Sequence, residues 1–199
     1  MTDIERLVGF SAATIHEAMG GRGALPAEIK PISLGMRVLG PAFPLASPPG
    51  DNLMLHHALA EAPPGCVLVA DAKGYMNAGC WGDIMTLAAI TRGIAGLVFY
   101  GSVRDRAEIV ESGFPVFASG LCIRGTTKDK NAPLGMPILV GDVTVHPGDI
   151  VVGDDDGVVV VPSDEVEQVV VASQVRVEKE AQICERIRNG EHTLDVYSF

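Results

Sequence analysis

Basic side chains are scarce in this sequence: 15 Lys and Arg residues stand against 25 Asp and Glu residues, which gives a formal net charge of −10 at pH 7. Proteins that bind a nucleic-acid backbone place clusters of Lys and Arg against its phosphates. The acidic balance therefore argues against a nucleic-acid partner.

Long apolar runs are also missing. A membrane-spanning helix needs roughly 18 consecutive apolar residues, whereas the longest uncharged run, residues 38–50, is interrupted by four prolines. The first six residues, Met-Thr-Asp-Ile-Glu-Arg, do not have the basic and then apolar layout of a signal peptide. We therefore expect a cytoplasmic protein that does not contact a membrane.

Cysteine pairs at metal-binding or redox spacing are absent. The cysteines lie far apart, at Cys66, Cys80, Cys122 and Cys184, so neither a zinc knuckle nor a thioredoxin-type motif is present. We expect free thiols that are buried or half-buried. With 47% hydrophobic residues, a chain of this length can bury a core without disulfide bonds, and we expect one domain over residues 1–199.

Glycine and proline are abundant, with 23 Gly and 13 Pro residues, and they divide the chain into short apolar runs. Runs that are rich in β-branched residues and bounded by Gly, Pro or Asp predict strands. These runs are Cys66–Ala70, Gly96–Tyr100, Pro115–Ala118, Pro137–Val140, Ile150–Val152 and Val158–Val161. Apolar residues at helical spacing predict helices over 84–92 and 106–112. The alternation predicts a mixed α/β fold.

The last long segment differs from the rest of the chain. Acidic residues follow Pro162 and Ser163, and basic residues close the segment, which predicts a helix over about 164–188. Its apolar face ends near Val177, before the helix does. A helix that outlasts its apolar face is typical of a subunit contact or of a solvated terminal helix, and both interpretations stay open.

Two motifs that suggest ligand binding have simpler explanations. Asp154-Asp155-Asp156-Gly157 lacks the alternating ligand spacing of a calcium loop, and Asp-Gly between two valine-rich runs favours a hairpin whose two turn residues have positive φ. Gly20-Gly21-Arg22-Gly23 lacks the Lys-Ser/Thr of a phosphate-binding loop. We interpret the first as a turn and the second as a flexible loop.

Histidine, serine and lysine chemistry has no recognisable motif here. The five histidines do not match a metal-binding pattern, and adjacent His56 and His57 would point about 100° apart on a helix. No Gly-x-Ser-x-Gly elbow occurs. Lys30 and Lys73 are candidates for a Schiff base, but solvated surface lysines explain them better.

The most informative stretch is Asn77–Asp105. Gly82 and Asp83 come directly before the predicted helix, so the backbone N–H groups of residues 82–85 should be free to bind an anion. After the next predicted strand, Arg104 offers a planar fork for a carboxylate and Asp105 an oxygen ligand for a divalent cation. A helix-strand unit of this length can bring these residues to one edge of the sheet. A surface Arg–Asp pair in a turn is the simpler alternative.

This pattern resembles a known family. Asp83, twenty intervening residues and then Arg104-Asp105 is similar to the Asp-x20-Arg-Asp signature of the RraA-like family. Further matching motifs follow in the same order along about two-thirds of the chain: Trp81-Gly82-Asp83, Gly93-x-x-Gly96, Gly101-x-x-Arg104-Asp105, Gly113–Ala118 and Val145–Asp149 leading to Asp154–Pro162.

The resemblance implies a fold, an assembly and a set of site residues. The fold would be a swivelling β/β/α-type sandwich, in homotrimers or homohexamers with the active site between subunits. The backbone of Gly82, Asp83, Ile84 and Met85 and the side chain of Arg104 would bind substrate. Asp105 would hold Mg²⁺ or Mn²⁺, largely through water, and Asp83 would orient that water.

A further acidic residue would come from the C-terminal helix of the neighbouring subunit. Glu180 is the candidate for this catalytic role and Glu178 is the next choice. The implied enzyme is a class II, metal-dependent aldolase, a carbon-carbon lyase. It would cleave 4-hydroxy-2-oxo acids such as 4-hydroxy-4-methyl-2-oxoglutarate to pyruvate and decarboxylate oxaloacetate through the same pyruvate enolate, with polarisation by the metal and Arg104.

Two alternatives remain on the sequence alone. The same family contains regulators that bind ribonuclease E and inhibit it, and an acidic surface would suit such a protein. A scaffold that acts mainly as an oxaloacetate decarboxylase is the other. The complete set of Asp83, Arg104 and Asp105 favours the enzyme, because a binding module does not need it.

Overall fold

A computed structural model describes residues 3–197. Nine strands are present in this range: β1 (Lys30–Pro31), β2 (Val38–Ala46), β3 (Val67–Gly79), β4 (Gly96–Val103), β5 (Val116–Leu121), β6 (Ile138–Val140), β7 (Val143–Val145), β8 (Ile150–Asp154) and β9 (Gly157–Val161). Seven helices accompany them: α1 (Asp3–Leu7), α2 (Ala12–Ala18), α3 (Leu53–Glu61), α4 (Asp83–Thr91), α5 (Arg106–Ser112), α6 (Val166–Arg188) and α7 (Thr193–Tyr197). The predicted mixed α/β class is confirmed.

One seven-stranded sheet organises the fold, in the order β1-β5-β4-β3-β2-β8-β9. Strands β2 to β5 run parallel, because α3, α4 and α5 return the chain between them, while β1, β8 and β9 pair antiparallel. The two outer strands approach each other, and Lys30 Nζ donates to the carbonyl of Asp156 beside β9. The sheet is therefore nearly closed.

The central strands are buried on both faces. In β3 and β4, Leu68, Leu97 and Phe99 pack under α3, α4 and α5, while Val69 and Val98 point to the inside of the curved sheet. Successive side chains of a strand point to opposite faces, so strands covered on both faces read as continuous apolar runs. This burial explains why their sequences, such as residues 66–70, show no alternation.

The C-terminal helix matches its prediction in extent. Helix α6 begins at Val166 and ends at Arg188, and its first turns bury Val166, Val169 and Val170 against α1, α2 and the β8–β9 hairpin. Beyond Ser173 no residue of α6 is buried, and Val175 is 60% exposed. No helix within residues 3–197 is both long enough and apolar enough to cross a membrane.

The hairpin predicted at Asp154–Gly157 is present, but its turn differs from the prediction. The turn is formed by Asp155 and Asp156, while Asp154 and Gly157 pair across the strand ends. Neither turn residue has a positive φ. The Asp154 carboxylate accepts hydrogen bonds from the N–H groups of Ala12 and Asp156, so the acidic side chains stabilise backbone rather than a cation.

The four cysteines are all free thiols, as expected. Cys66 and Cys80 are buried and Cys122 is half-buried, but Cys184 is exposed on the part of α6 that leaves the core. The prediction of buried or half-buried thiols is therefore wrong for Cys184, because no residue of α6 beyond Ser173 is buried.

Substitution of Phe117 tests the packing of the core inside the curved sheet. Its ring is fully buried among valines from β2, β3, β4 and β8. We expect Phe117→Ala to lower the free energy of unfolding by about 3–5 kcal/mol, since the cavity left behind cannot close fully. Urea unfolding measures this change. Leu34→Ala, at a side chain that is 85% exposed, serves as the control, and equal losses in the two variants would contradict the packing described.

Candidate active site

The site lies where two parallel strands end at the same edge of the sheet. Strand β3 leads through Cys80 and Trp81 into α4, and β4 leads through Arg104 and Asp105 into α5. A hydrogen bond of 2.8 Å from the Arg104 N–H to the Trp81 carbonyl oxygen joins these two connections. The predicted juxtaposition of Asp83 with Arg104 and Asp105 is therefore present.

Trp81 anchors the start of α4. Its ring is fully buried and stacks on Phe114, with ring centroids 6.2 Å apart. Its Nε1 donates to Thr86 Oγ1 at 2.7 Å, and the Thr86 hydroxyl donates to the Gly82 carbonyl oxygen at 3.0 Å. Because every polar group in this chain of contacts is paired, the first turn of α4 has a fixed position.

Asp105 adopts a left-handed backbone conformation, with φ of 57°. This conformation is uncommon for a residue other than glycine and is found at functional sites when the surroundings impose it. Its Oδ2 accepts hydrogen bonds from the Asp83 N–H and from Arg104 Nε, each at 3.3 Å. A Cβ atom at Gly82 would overlap this oxygen, so residue 82 must be glycine for the carboxylate to lie there.

One of the four backbone amides predicted to be free is thus occupied. The Asp83 N–H is held by Asp105, whereas the sequence reasoning left the amides of residues 82–85 all open to a ligand. The reason is the short distance between the two strand ends, which spacing along the chain does not reveal. Gly82, Ile84 and Met85 line the cavity described next.

A cavity of about 300 Å³ opens in front of α4. Four predicted substrate-binding residues line it together with Arg104, and further residues come from α3 and from the segment after β5. The lining is Asn52, His56, Gly79, Cys80, Trp81, Gly82, Asp83, Ile84, Met85, Arg104, Gly125, Thr126 and Lys128. Arg104 also borders a neighbouring depression that contains Asp105. The two recesses therefore share Arg104 as a lining residue.

Asn52 ties the floor of this cavity to its rim. The buried amide donates from Nδ2 to the Cys80 carbonyl oxygen at 3.0 Å and accepts at Oδ1 from the Thr126 hydroxyl, also at 3.0 Å. It thus joins the start of α3, the end of β3 and the segment after β5. Three parts of the chain that are far apart in sequence meet at one side chain.

The neighbouring Asp51 is a fully buried carboxylate that fixes the segment after β5. It accepts hydrogen bonds from the Thr127 hydroxyl at 2.6 Å, from the Asp129 N–H at 2.9 Å and from the Leu53 N–H at 2.9 Å. Burial alone would raise the pKa of Asp51, but these hydrogen bonds outweigh it and lower the pKa. The carboxylate is therefore ionised in the folded protein.

Two other titratable groups in the cavity are shifted toward their neutral forms. Burial lowers the pKa of His56, and the charges of Lys128 and His57 lower it further. Burial raises the pKa of the Cys80 thiol to about 11. At neutral pH the imidazole is then uncharged and the thiol protonated, so Cys80 is not a nucleophile there.

Glu180, the remaining predicted site residue, does not reach the cavity of its own chain. It lies on α6, where Oε1 is 2.9 Å from Arg176, which also pairs with Glu17 of α2. Glu178, the second choice, accepts a hydrogen bond from Gln174 on the same helix. Their expected role in a neighbouring subunit stays a prediction.

The rejected Schiff-base lysines also lie elsewhere. Lys73 pairs with the buried Asp71, and Lys30 contacts the β8–β9 turn. A larger cavity of about 930 Å³ lies beside the Gly20–Gly23 loop and contains none of the predicted residues. Its size does not make it the better candidate, because Arg22 there is paired with Glu165 rather than open to a ligand.

The Asp105 carboxylate suits a divalent cation of the magnesium type as a ligand. Both hydrogen bonds to the carboxylate use Oδ2, and Oδ1 accepts none from the described residues. Mg²⁺ is commonly held by one or two carboxylates and keeps several waters. A closed cage is not present: within residues 3–197 no three His, Cys, Asp or Glu side chains are grouped as metal ligands.

Sequence reasoning missed the part of the site that lies outside residues 77–105. Asn52, Thr126 and Lys128 line the cavity, and His56 was considered only as a metal ligand. No motif marks these positions, since they meet only through the folding of α3 and of the segment after β5 onto β3. An Asp-Asn pair, of residue types that are common at the start of a helix, stands directly before α3 and was the one local signal available.

Comparison with protein families gives a match over most of the chain. The RraA-like family, described as Aldolase/RraA, matches residues 12–160. A protein of Halalkalibacterium halodurans named "Putative 4-hydroxy-4-methyl-2-oxoglutarate aldolase" is 39% identical over 155 residues, which cover 78% of this chain and 74% of that protein.

Solved structures share the fold. An uncharacterized protein from Pseudomonas syringae pv. tomato superposes with a TM-score of 0.87 at 28% identity, covering 98% of this chain and 92% of that one. The RNA-processing inhibitor RraA from Thermus thermophilis superposes with a TM-score of 0.70 at 26% identity, covering 77% of this chain and 93% of that one. The sandwich fold expected from the resemblance is confirmed.

Asp51 tests how the cavity rim is held. We expect Asp51→Asn to lower the free energy of unfolding at pH 7 by roughly 2 kcal/mol. The substitution replaces one buried carboxylate oxygen by an NH₂ group, which cannot accept the hydrogen bonds that this oxygen accepts. Since the pKa of Asp51 is lowered in the folded state, its contribution is present above about pH 4 and is lost as the pH falls below that value.

Unfolding of the wild type and of Asp51→Asn should therefore be followed by urea titration from pH 7 to pH 3. The difference between the two should shrink toward the acid end. Asp142→Asn, at an exposed carboxylate, is the matched control and should differ little from the wild type throughout. A difference that stays constant with pH would contradict an ionised Asp51.

Proposed function

This chain belongs to the Aldolase/RraA family, and on that premise we propose that it is a carbon-carbon lyase that releases pyruvate from small 2-oxo acids. The proposed substrates are 4-hydroxy-2-oxo acids of the 4-hydroxy-4-methyl-2-oxoglutarate type, cleaved by a retro-aldol reaction, and oxaloacetate, which would lose carbon dioxide. The observation that carries the proposal is the contact of Asp105 with Asp83 and Arg104, which both line the cavity in front of α4.

The cofactor of this proposal is Mg²⁺ or Mn²⁺ at Asp105, whose Oδ1 is available to a ligand. When bound, such a cation would supply Lewis-acid polarisation of the 2-oxo group. The other parts of the reaction are assigned to side chains and amides of the protein.

Arg104 and the start of α4 would bind and orient the substrate. The guanidinium is a planar fork that suits a carboxylate or a carbonyl oxygen, and its Nε is already held by Asp105 at 3.3 Å. The amides of the first turn of α4 add partial positive charge at the same place. These donors would stabilise the negative charge that develops on the 2-oxo oxygen when the C3–C4 bond breaks.

The proton must move as this bond breaks. In the retro-aldol reaction, the 4-hydroxyl oxygen loses its proton and becomes the carbonyl of the second product, while the bond electrons pass to the pyruvate enolate. Asp83 is exposed, and its backbone N–H donates to Asp105. Its carboxylate would orient the water that accepts the proton. Decarboxylation of oxaloacetate gives the same enolate and requires no hydroxyl proton, so one site would serve both reactions.

The similarity to the RNA-processing inhibitor RraA supports a second candidate function. In that case the chain would bind ribonuclease E and inhibit it without turnover of a small molecule. The two functions are separated by one assay, because only the lyase releases pyruvate.

Asp105 is the residue that decides the enzyme proposal. Pyruvate release from oxaloacetate and from 4-hydroxy-4-methyl-2-oxoglutarate should depend on added Mg²⁺ and stop with EDTA. Asp105→Ala should lower the rate by about a hundredfold or more, as expected when a charge-stabilising group is removed. Asp142→Asn is the control carboxylate and should retain full activity. No release from either substrate by the folded wild type would overturn the proposal, and binding to ribonuclease E would then be measured.

Glu180 tests the expected sharing of the site between subunits. We expect Glu180→Gln to lose activity in the homo-oligomer, and Glu178→Gln to lose much less. If the two halves of a site come from different subunits, co-refolding inactive Asp105→Ala with inactive Glu180→Gln should restore part of the activity, since some interfaces then carry both intact residues. A mixture that is no more active than its separate components would contradict the shared site.

A further inference from the structure

The candidate cavity contains a second cation that the proposed reaction does not use. Its charged lining residues are Arg104, Lys128 and Asp83, and His56 is neutral at neutral pH. Arg104 interacts with Asp105, whereas Lys128 forms no ion pair with any residue of the range 3–197. Within that range its Nζ makes one hydrogen bond, of 3.4 Å, to the Thr126 hydroxyl. The ammonium therefore has donors left for a ligand.

The backbone on both sides of Lys128 is fixed. Asp51 holds the Thr127 hydroxyl and the Asp129 N–H, and the Thr127 N–H donates to the Gly50 carbonyl oxygen at 2.9 Å. A lysine between two anchored residues loses less conformational freedom on binding than one in an unattached loop. Hydrogen bonds to the buried Asp51 carboxylate thus fix the backbone that carries this exposed lysine at the cavity rim.

Lys128 and Arg104 reach the cavity from different parts of the fold. Arg104 follows β4 and lies beside the start of α4, while Lys128 enters with the segment after β5, on the side of Asn52 and His56. Two cations around one small cavity are complementary to a molecule with two separate negative groups. A volume of about 300 Å³ is at the lower limit of ligand pockets and suits a short molecule.

We propose that Lys128 binds the second carboxylate of a short dicarboxylic 2-oxo acid whose 2-oxo end lies at Arg104. The inference rests on the proposed function and extends it, because it names the feature by which the site selects its substrate. A 2-oxo acid that carries a methyl group in place of the second carboxylate would leave the ammonium without a partner. Lys128 is then a specificity-determining residue that does not take part in bond cleavage.

The test uses two ligands of equal chain length that carry no 4-hydroxyl group. In 2-oxoglutarate the chain ends in a carboxylate, and in 2-oxopentanoate it ends in a methyl group. With Mg²⁺ present, titration calorimetry of the wild type should show that 2-oxoglutarate binds about tenfold more tightly than 2-oxopentanoate, or better. This difference is expected for one charge-assisted contact. Lys128→Gln should remove most of this preference and leave the affinity for 2-oxopentanoate unchanged.

Two further variants separate charge recognition from other effects. Lys128→Arg should keep the preference for 2-oxoglutarate, since it retains the positive charge. Because arginine cannot form a Schiff base with a 2-oxo acid, a retained preference also shows that the contact is electrostatic and not covalent. Lys130→Gln, in the same segment but outside the cavity lining, should behave as the wild type. In turnover, Lys128→Gln should raise KM for 4-hydroxy-4-methyl-2-oxoglutarate about tenfold with little change in kcat, while KM for 4-hydroxy-2-oxopentanoate stays unchanged.

The binding experiment decides the inference independently of catalysis. A wild type that binds the two ligands equally, or binds neither, would overturn it, as would an equal loss of both affinities in Lys128→Gln. Absence of pyruvate release by the wild type would instead count against the lyase. A preference for the dicarboxylate that depends on Lys128 could still be measured in that case and would support this site as a dicarboxylate-binding site.

Discussion

The hydrogen bond from the Arg104 N–H to the Trp81 carbonyl oxygen is the contact on which the candidate site depends. It brings the connections after two parallel strands within one hydrogen bond of each other. At this separation the Asp105 carboxylate meets the first amide of α4, and only glycine fits at position 82. The same closeness orients the guanidinium beside the carboxylate. The geometry is thus determined by backbone pairing, and the side chains follow from it.

Trp81 and Asp51, which fix the two sides of the site, are held in place by different interactions. Trp81 is fixed by burial and stacking on Phe114, so its position depends on the hydrophobic core beneath α4 and α5. Asp51 is fixed by donors that surround a buried charge, which is favourable only while every one of them is present. The wall that carries Arg104 is therefore held by packing, and the rim that carries Lys128 is held by polar contacts.

Much of the fold could be predicted from the sequence, because apolar periodicity and Gly or Pro boundaries are local signals. The helices at 84–92 and 106–112 and the long helix to Arg188 were found in this way. The turn at Asp155 was misplaced by one residue, since pairing in β8 and β9 and not the Asp-Gly signal determines it. Of the site, the meeting of Asp83 with Arg104 and Asp105 at one sheet edge was predictable from the helix-strand spacing, whereas the bond from the Asp83 N–H to Asp105 was not. Asn52 and Lys128 were not, because contacts between distant segments leave no periodic trace.

The bonds from Asp51 and Asn52 to residues 126–129 join segments about 75 residues apart in the chain. Contacts of such long range require the closure of a long loop, which costs conformational entropy. A chain in which only β2 to β5 and their helices had formed would already have Arg104 beside α4 but would lack the opposite rim. The cavity would then be complete only in the fully folded chain. A partly folded molecule would offer a small acid the Arg104 side of the site without the Lys128 side.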